Sequence, residues 1–146
     1  MTALDGSTDS LVERLFWSRH ANPRSVWTLV VAYPVLIFAL YRRRRLLLSG
    51  TLLFVAVNPL VFSPPATDDA WATRVVLGEK IWLERGRLVS ADSLFVAVCA
   101  PVFLYTIRSA VRRNPLGTAV GTLLSVALML VFFDRMVRLY ERELDS

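Results

Sequence analysis

His20 is the only histidine of the chain, so any imidazole chemistry rests on it. Asn22 stands two residues on, and Asp68, Asp69, Arg74, Glu79 and Lys80 gather in one later stretch. An imidazole with carboxylates nearby can bind a metal or work as a general base. A lone histidine beside capping residues more often makes a single hydrogen bond, and that plainer role is the expectation here. Other chemistry is missing. Cys99 is the single cysteine, which leaves no internal disulfide and no cysteine-based zinc site. There is no glycine-rich phosphate loop, no pair of histidines at metal spacing and no Gly-x-Ser-x-Gly elbow. No catalytic, cofactor-binding or metal-binding residue is assigned, no cofactor is expected, and an enzyme is the less favoured class.

The surroundings of these residues are apolar. Of 146 residues, 55% are hydrophobic and 20% charged, with a mean hydropathy of +0.49. Soluble domains hold roughly 45–50% apolar residues, so the balance argues against a water-soluble globule. Four stretches lack a charged side chain: 25–41, 46–67, 93–107 and 114–133, of 17, 22, 15 and 20 residues. A helix crosses a bilayer with about 20 apolar residues. The second and fourth stretches qualify outright, and the first lies at the lower limit. The third must begin earlier, which places Asp92 at the interface. Four such runs in so short a chain leave no polar layer to cover them in water. The expected fold is an all-α integral membrane protein, a single membrane domain over 1–146. It has four transmembrane helices at about 25–41, 46–62, 90–107 and 115–133, plus two amphipathic interfacial helices at about 10–19 and 68–85.

Local signals support these boundaries. Asn22-Pro23 and Asn114-Pro115 each read as an N-cap followed by proline at the first helical position, where its missing N–H costs nothing. Asn58-Pro59 ends or kinks the second span, and Pro34 and Pro101 kink the first and third. No Asp, Glu, Lys, Arg or His lies at mid-depth in a span, which counts against a pump or carrier.

Charge sets the orientation. Arg42, Arg43, Arg44 and Arg45 in one short loop, with Arg108, Arg112 and Arg113 in the other, carry +7 with no acid between them. The remaining segments hold all 12 acids and 10 basic residues. The positive-inside rule puts both arginine loops in the cytoplasm of a cell-membrane protein, and the termini and residues 63–89 outside. Headgroup contacts account for the arginines, so the lipid bilayer is the expected partner and nucleic acid is not. Trp17, Trp27, Trp71 and Trp82 all fall on the outer side, as half of an aromatic belt would. The first 25 residues show no basic segment leading into an apolar core, so the first span is expected to serve as its own insertion signal.

The outer side carries the two surface helices. Ser10 and Glu13 form a capping box ahead of Leu11, Val12, Leu15 and Phe16, which share one face. In the second, Asp68 and Asp69 open and Lys80 and Arg85 close the helix, in accord with its dipole, and Gly86 supplies a stop. Its Trp71, Val75, Gly78 and Trp82 line one face, suited to lying on a membrane surface. Within the fourth span Gly117, Gly121 and Ser125 recur every four residues, a stripe that lets two helix backbones approach inside the chain or in a homo-oligomer. Pro34–Phe38 echoes Pro101–Tyr105, a faint sign of duplicated hairpins, and Asp134 is placed to pair with Arg138.

The stretch Ser18-Arg19-His20-Ala21-Asn22-Pro23-Arg24-Ser25-Val26-Trp27-Thr28 resembles the signature of an uncharacterised family of small multi-pass membrane proteins with haloarchaeal and bacterial members. Asp69-Ala70-Trp71-Ala72-Thr73-Arg74 and Leu77-Gly78-Glu79-Lys80-Ile81-Trp82-Leu83 resemble its second signature. The resemblance implies no activity. It implies that both signatures share a membrane face, and the 16 arginines against one lysine fit the GC-rich genomes it suggests. The candidate outer cluster is thus His20, Asn22, Trp27, Asp68, Asp69, Trp71, Arg74 and Glu79. The segment around His20 is expected to dock on the second surface helix and to pair the imidazole with Glu79, Asp68 or Asp69. A non-enzymatic structural or accessory subunit, partnered by itself or by another membrane protein, is the leading reading. Alternatives are a membrane enzyme or lipid-headgroup binder with an outer site, and a small oligomeric channel lined by hydroxyls of span four.

Overall fold

A computed structural model describes residues 11–85 and 90–146, and these residues hold helices and connecting turns with no strand among them. Ser10 and Gly86, cited above for helix ends, lie outside the described residues. A π-helical turn, Glu13–Trp17, runs into a single α-helical turn, Ser18–His20, and together they form α1. The longer helices are α2 (Pro23–Arg42), α3 (Arg45–Val61), α4 (Trp71–Glu84), α5 (Ala91–Val111) and α6 (Pro115–Leu144).

Capping places the boundaries. The Asn22 carboxamide accepts from the Arg24 N–H at 2.9 Å, and Asn114 accepts from Gly117 at 3.0 Å, each with proline next in the chain. Ser90 caps α5 by accepting from the Ser93 N–H at 3.1 Å. Lengths do not follow the charge-free runs. The longest run yields the shortest of the four apolar helices, because Phe62 turns extended (φ −95°, ψ 149°) ahead of Ser63-Pro64-Pro65. Ser63, directly before Pro64, is disfavoured as helical, and Pro64 and Pro65 offer no N–H to the Leu60 and Val61 carbonyls, so α3 stops after 17 residues. The shortest run instead gives 21 residues, since Asp92 joins the first turn of α5 and Arg108 the last. Three helices, α2, α5 and α6, are long and apolar enough to cross a membrane, and α3 is a shorter apolar helix.

Two antiparallel hairpins, α2–α3 and α5–α6, share one turn geometry. Arg43 (φ 53°) and Arg113 (φ 57°) both take the left-handed conformation that glycine usually supplies. Arg44 N–H bonds Ala39 O at 2.9 Å, and Asn114 N–H bonds Ser109 O at 2.9 Å, so the two ends close in the same way. This matches the turns in a register three residues from the one suggested by the two proline-led segments.

Small residues hold the second hairpin. A Cβ on Gly121 would lie 2.5 Å from Thr106 Oγ1, and one on Gly117 would lie 2.9 Å from Ser109 Oγ. Thr106 and Ser125 are fully buried and hydrogen-bonded at 3.1 Å. The small-residue stripe of α6 is therefore used inside the chain.

Helix α6 continues well past its apolar part. Its 30 residues rise about 45 Å, more than a hydrocarbon layer of about 30 Å. Its polar end receives α4. A Cβ on Gly78 would overlap the Met136 carbonyl, and Val75, Met136 and Val137 form a buried cluster flanked by Trp71, Trp82, Phe132 and Phe133. This corrects the expected surface helix: the tryptophan face of α4 turns onto α6. Trp82 is half-buried, stacks edge-on against Phe132 at 5.6 Å and donates to Ser93 Oγ at 3.2 Å.

Along the long helices many large apolar side chains are exposed and, Ile37 and the Met136 region apart, the buried positions are mostly small or polar. Ala39, Asn58, Thr106, Ala110 and Ser125 are fully buried, whereas Leu46, Leu116 and Leu123 are 89%, 73% and 74% exposed. The large apolar clusters sit instead around α4.

Candidate functional site

At the N-terminal end of α2, a run of hydrogen bonds passes through the interior from α1 to α3. His20 Nδ1 lies 3.0 Å from Ser25 Oγ. Ser25 Oγ lies 2.5 Å from Asn58 Oδ1, and Asn58 Nδ2 lies 2.8 Å from Thr28 Oγ1. Thr28 gives its own proton to the Arg24 carbonyl at 2.7 Å or to Ser25 O at 3.0 Å. It must therefore accept from the Asn58 amide, which points the Asn58 oxygen at Ser25. Ser25 then donates to Asn58 and accepts from His20. The chain of donors fixes the imidazole as the tautomer protonated on Nδ1.

Chemical consequences follow. A nucleophilic serine needs a base that takes its proton, and here the proton of Ser25 points at an amide oxygen while the imidazole is the donor. Ser25 and Asn58 are fully buried. The Ser–His pair is built as a lock between α1, α2 and α3. Burial holds the His20 pKa below its ordinary value, so the ring is neutral at pH 7.

Two further bonds tie the same junction. Arg19 donates to Leu60 O at 3.0 Å and Asn22 to Ser63 O at 2.9 Å, so α1 grips the last turn of α3. Ala21 and Val26 pack with Ala72 and Val76 of α4, flanked by Trp17, Trp71 and Phe133. Thus the His20 segment docks on α4 through apolar side chains while the imidazole bonds Ser25, not a carboxylate.

The remaining candidate residues divide into separate groups. Trp27 and Trp71 stack at 5.7 Å and link α2 to α4. Asp68 and Arg74 belong to the junction of α4 with α6: Tyr140 donates to Asp68 at 2.5 Å, and Arg74 pairs with Glu141 at 3.1 Å. The Tyr140 hydrogen bond holds the Asp68 carboxyl below its usual range. Asp69 is exposed. Lys80 pairs with Glu13 of α1, and Arg85 with Glu143. Glu79 is half-buried and makes no hydrogen bond or ion pair among the described residues, and burial pushes its carboxyl up to about 7. Among the described residues no three His, Cys, Asp or Glu side chains gather closely enough to hold a metal ion.

Asn58, Ser25 and Thr28 were not among the candidate residues. A signal was present: Asn58 is the one Asn, Gln or charged residue in its 22-residue run. A carboxamide at such a place must find partners. Its Asn-Pro spelling, shared with two true helix starts, pointed to a boundary instead.

Residues 10–144 match a family described as a family of unknown function, DUF6653. The chain belongs to that family. No curated protein and no solved structure matches it. In this DUF6653 member the match runs from α1 to the end of α6, so the hydrogen-bonded junction and both hairpins lie within the family's region.

Proposed function

We propose that this protein is a multi-pass membrane protein of four spans that acts without catalysis, as a structural or accessory subunit. Many large apolar side chains face outward and most buried positions of the membrane-length segments are small or polar, Ile37 excepted, as expected when lipid is the solvent. Helix α3 rises about 26 Å, slightly short of the hydrocarbon thickness, and Arg44 and Arg45 at its start can extend to the headgroups.

The observation that carries the non-catalytic role is the closed donor chain from His20 to Arg24 O. The His20 Nδ1, Ser25 and Thr28 protons each go to another group of the chain, so the Ser25 hydroxyl has no base to take its proton. The channel reading loses its support for a like reason: Ser125 bonds Thr106, and the Thr118 and Thr122 hydroxyls bond their own helix.

Thermal unfolding in detergent tests the role. Asn58→Ala is expected to cost about 1–3 kcal/mol, because it leaves the buried Ser25 hydroxyl without an acceptor, and His20→Ala about 1 kcal/mol. A His20→Ala protein of unchanged stability that has lost a co-purified metal or headgroup would replace this reading with a binding site.

A further inference from the structure

Helices α2 and α3 leave between them an open apolar groove of about 1340 Å³. Its walls include Val35 and Phe38 of α2 and Leu47 and Phe54 of α3, and its mouth at the hairpin turn is formed by Arg44 and Arg45. Gly50 lies in the wall, and a Cβ built there meets no atom within 4 Å. The groove is free because α3 is an edge helix, packed on α1 and α2.

Charge distinguishes this mouth. The ion pairs among the described residues join acids and bases at the other end of the bundle. Arg42, Arg43, Arg44 and Arg45 are exposed, form no ion pair among the described residues and have no acid in their turn. Arg24 lines the other end of the groove, a single guanidinium against the cluster of four at the turn, and an apolar trough ending in that cluster suits a lipid with an anionic headgroup.

We infer that the groove binds an anionic phospholipid, with an acyl chain along α3 and the phosphate on Arg44 and Arg45. The inference rests on the membrane reading above. On α3 the lining runs from Arg45 to Phe62, a rise of about 26 Å, so the half of the groove next to Arg44 and Arg45 has room for the acyl chain of one leaflet, which is about 15 Å deep. Guanidinium groups bind phosphate through paired N–H donors. A second copy of the protein suits the groove less well. Two copies in one membrane share an orientation, so a two-fold pair across this face would set eight arginines at one depth.

Native mass spectrometry of the protein in mild detergent tests this, with palmitoyl-oleoyl phosphatidylglycerol and the matching phosphatidylcholine as probes. The expected result is one phosphatidylglycerol adduct that binds about ten-fold or more tighter than phosphatidylcholine. The pair Arg44→Gln and Arg45→Gln should abolish the preference. Gly50→Phe, at a position where an added Cβ meets no atom within 4 Å, places a ring in the groove and should remove the adduct without lowering the unfolding temperature. Equal binding of both lipids, an adduct that survives Gly50→Phe, or added mass equal to a second chain would each overturn the inference. A protein recovered in the soluble fraction without detergent would instead overturn the membrane reading itself.

Discussion

At the scale of single residues, two titrating groups at the α1–α4 end push stability in opposite directions with pH. Glu79 has its carboxyl raised from 4.5 to about 7 by burial, so the folded state favours the protonated form. That contribution is complete below pH 4.5 and is lost as the pH rises toward and through 7. His20 has its pKa lowered from 6.5 by burial, so its contribution is present above pH 6.5 and is lost as the pH falls through the folded value. Glu79→Gln should therefore remove a decline in stability between pH 4.5 and 7, measured as unfolding temperature in detergent. An unchanged pH profile would show that Glu79 ionises freely in the folded protein. His20→Gln should flatten the acid side of the curve while leaving the decline toward pH 7 in place.

At the scale of elements, the molecule depends on two close backbone approaches that single glycines permit. Helices α5 and α6 meet where Gly121 faces Thr106, and α4 and α6 meet where Gly78 faces the Met136 carbonyl. The first neighbour is a side chain and the second is backbone. Gly121→Leu must push the helices apart and break the Thr106–Ser125 hydrogen bond, at a cost of about 3 kcal/mol or more from overpacking and a lost buried bond. Gly78→Ala should be worse for its size, since a carbonyl cannot rotate away as a side chain can. Both variants should lower the unfolding temperature, and the Gly78→Ala drop should exceed that of Thr118→Ala, a half-exposed control on α6. Unchanged melting for Gly121→Leu would mean that the hairpin face is not packed in the protein.

At the scale of the whole molecule, the arrangement separates charge by end. The N-terminus of α2, the C-terminus of α3 and the N-terminus of α5 lie together with residues 132–137 of α6, as the Ser25–Asn58, Trp27–Trp71, Trp71–Phe133 and Asp92–Arg135 contacts require. The two arginine turns occupy the opposite end. In a membrane this polarity predicts arginine turns inside. In a Cys99→Ala background, Arg44→Cys in the turn should react with an impermeant thiol reagent only after the cells are opened. Thr67→Cys at the other end should react on intact cells. Both positions are exposed, whereas Ser109 in the second turn is 3% exposed and unsuited to labelling. The reverse pattern would invert the orientation.

Features legible in the sequence are those set by neighbours along the chain. Asn22-Pro23 and Asn114-Pro115 start helices because capping needs only the next turn, and Asp134 meets Arg138 at 2.7 Å because four residues make one helical turn. The stripe of Gly117, Gly121 and Ser125 announced a close contact through its period alone. Tertiary structure decided where each face and each polar atom goes. The period of Trp71, Val75, Gly78 and Trp82 defines a face but not its partner, and the length of α6 beyond its apolar part supplied one. Topology puts His20 and the carboxylates of residues 68–79 at one interface, yet the imidazole bonds Ser25, which bonds Asn58 thirty-three residues farther on. A buried carboxamide must be satisfied by whatever the packing brings near, and that choice is made in space, not along the chain.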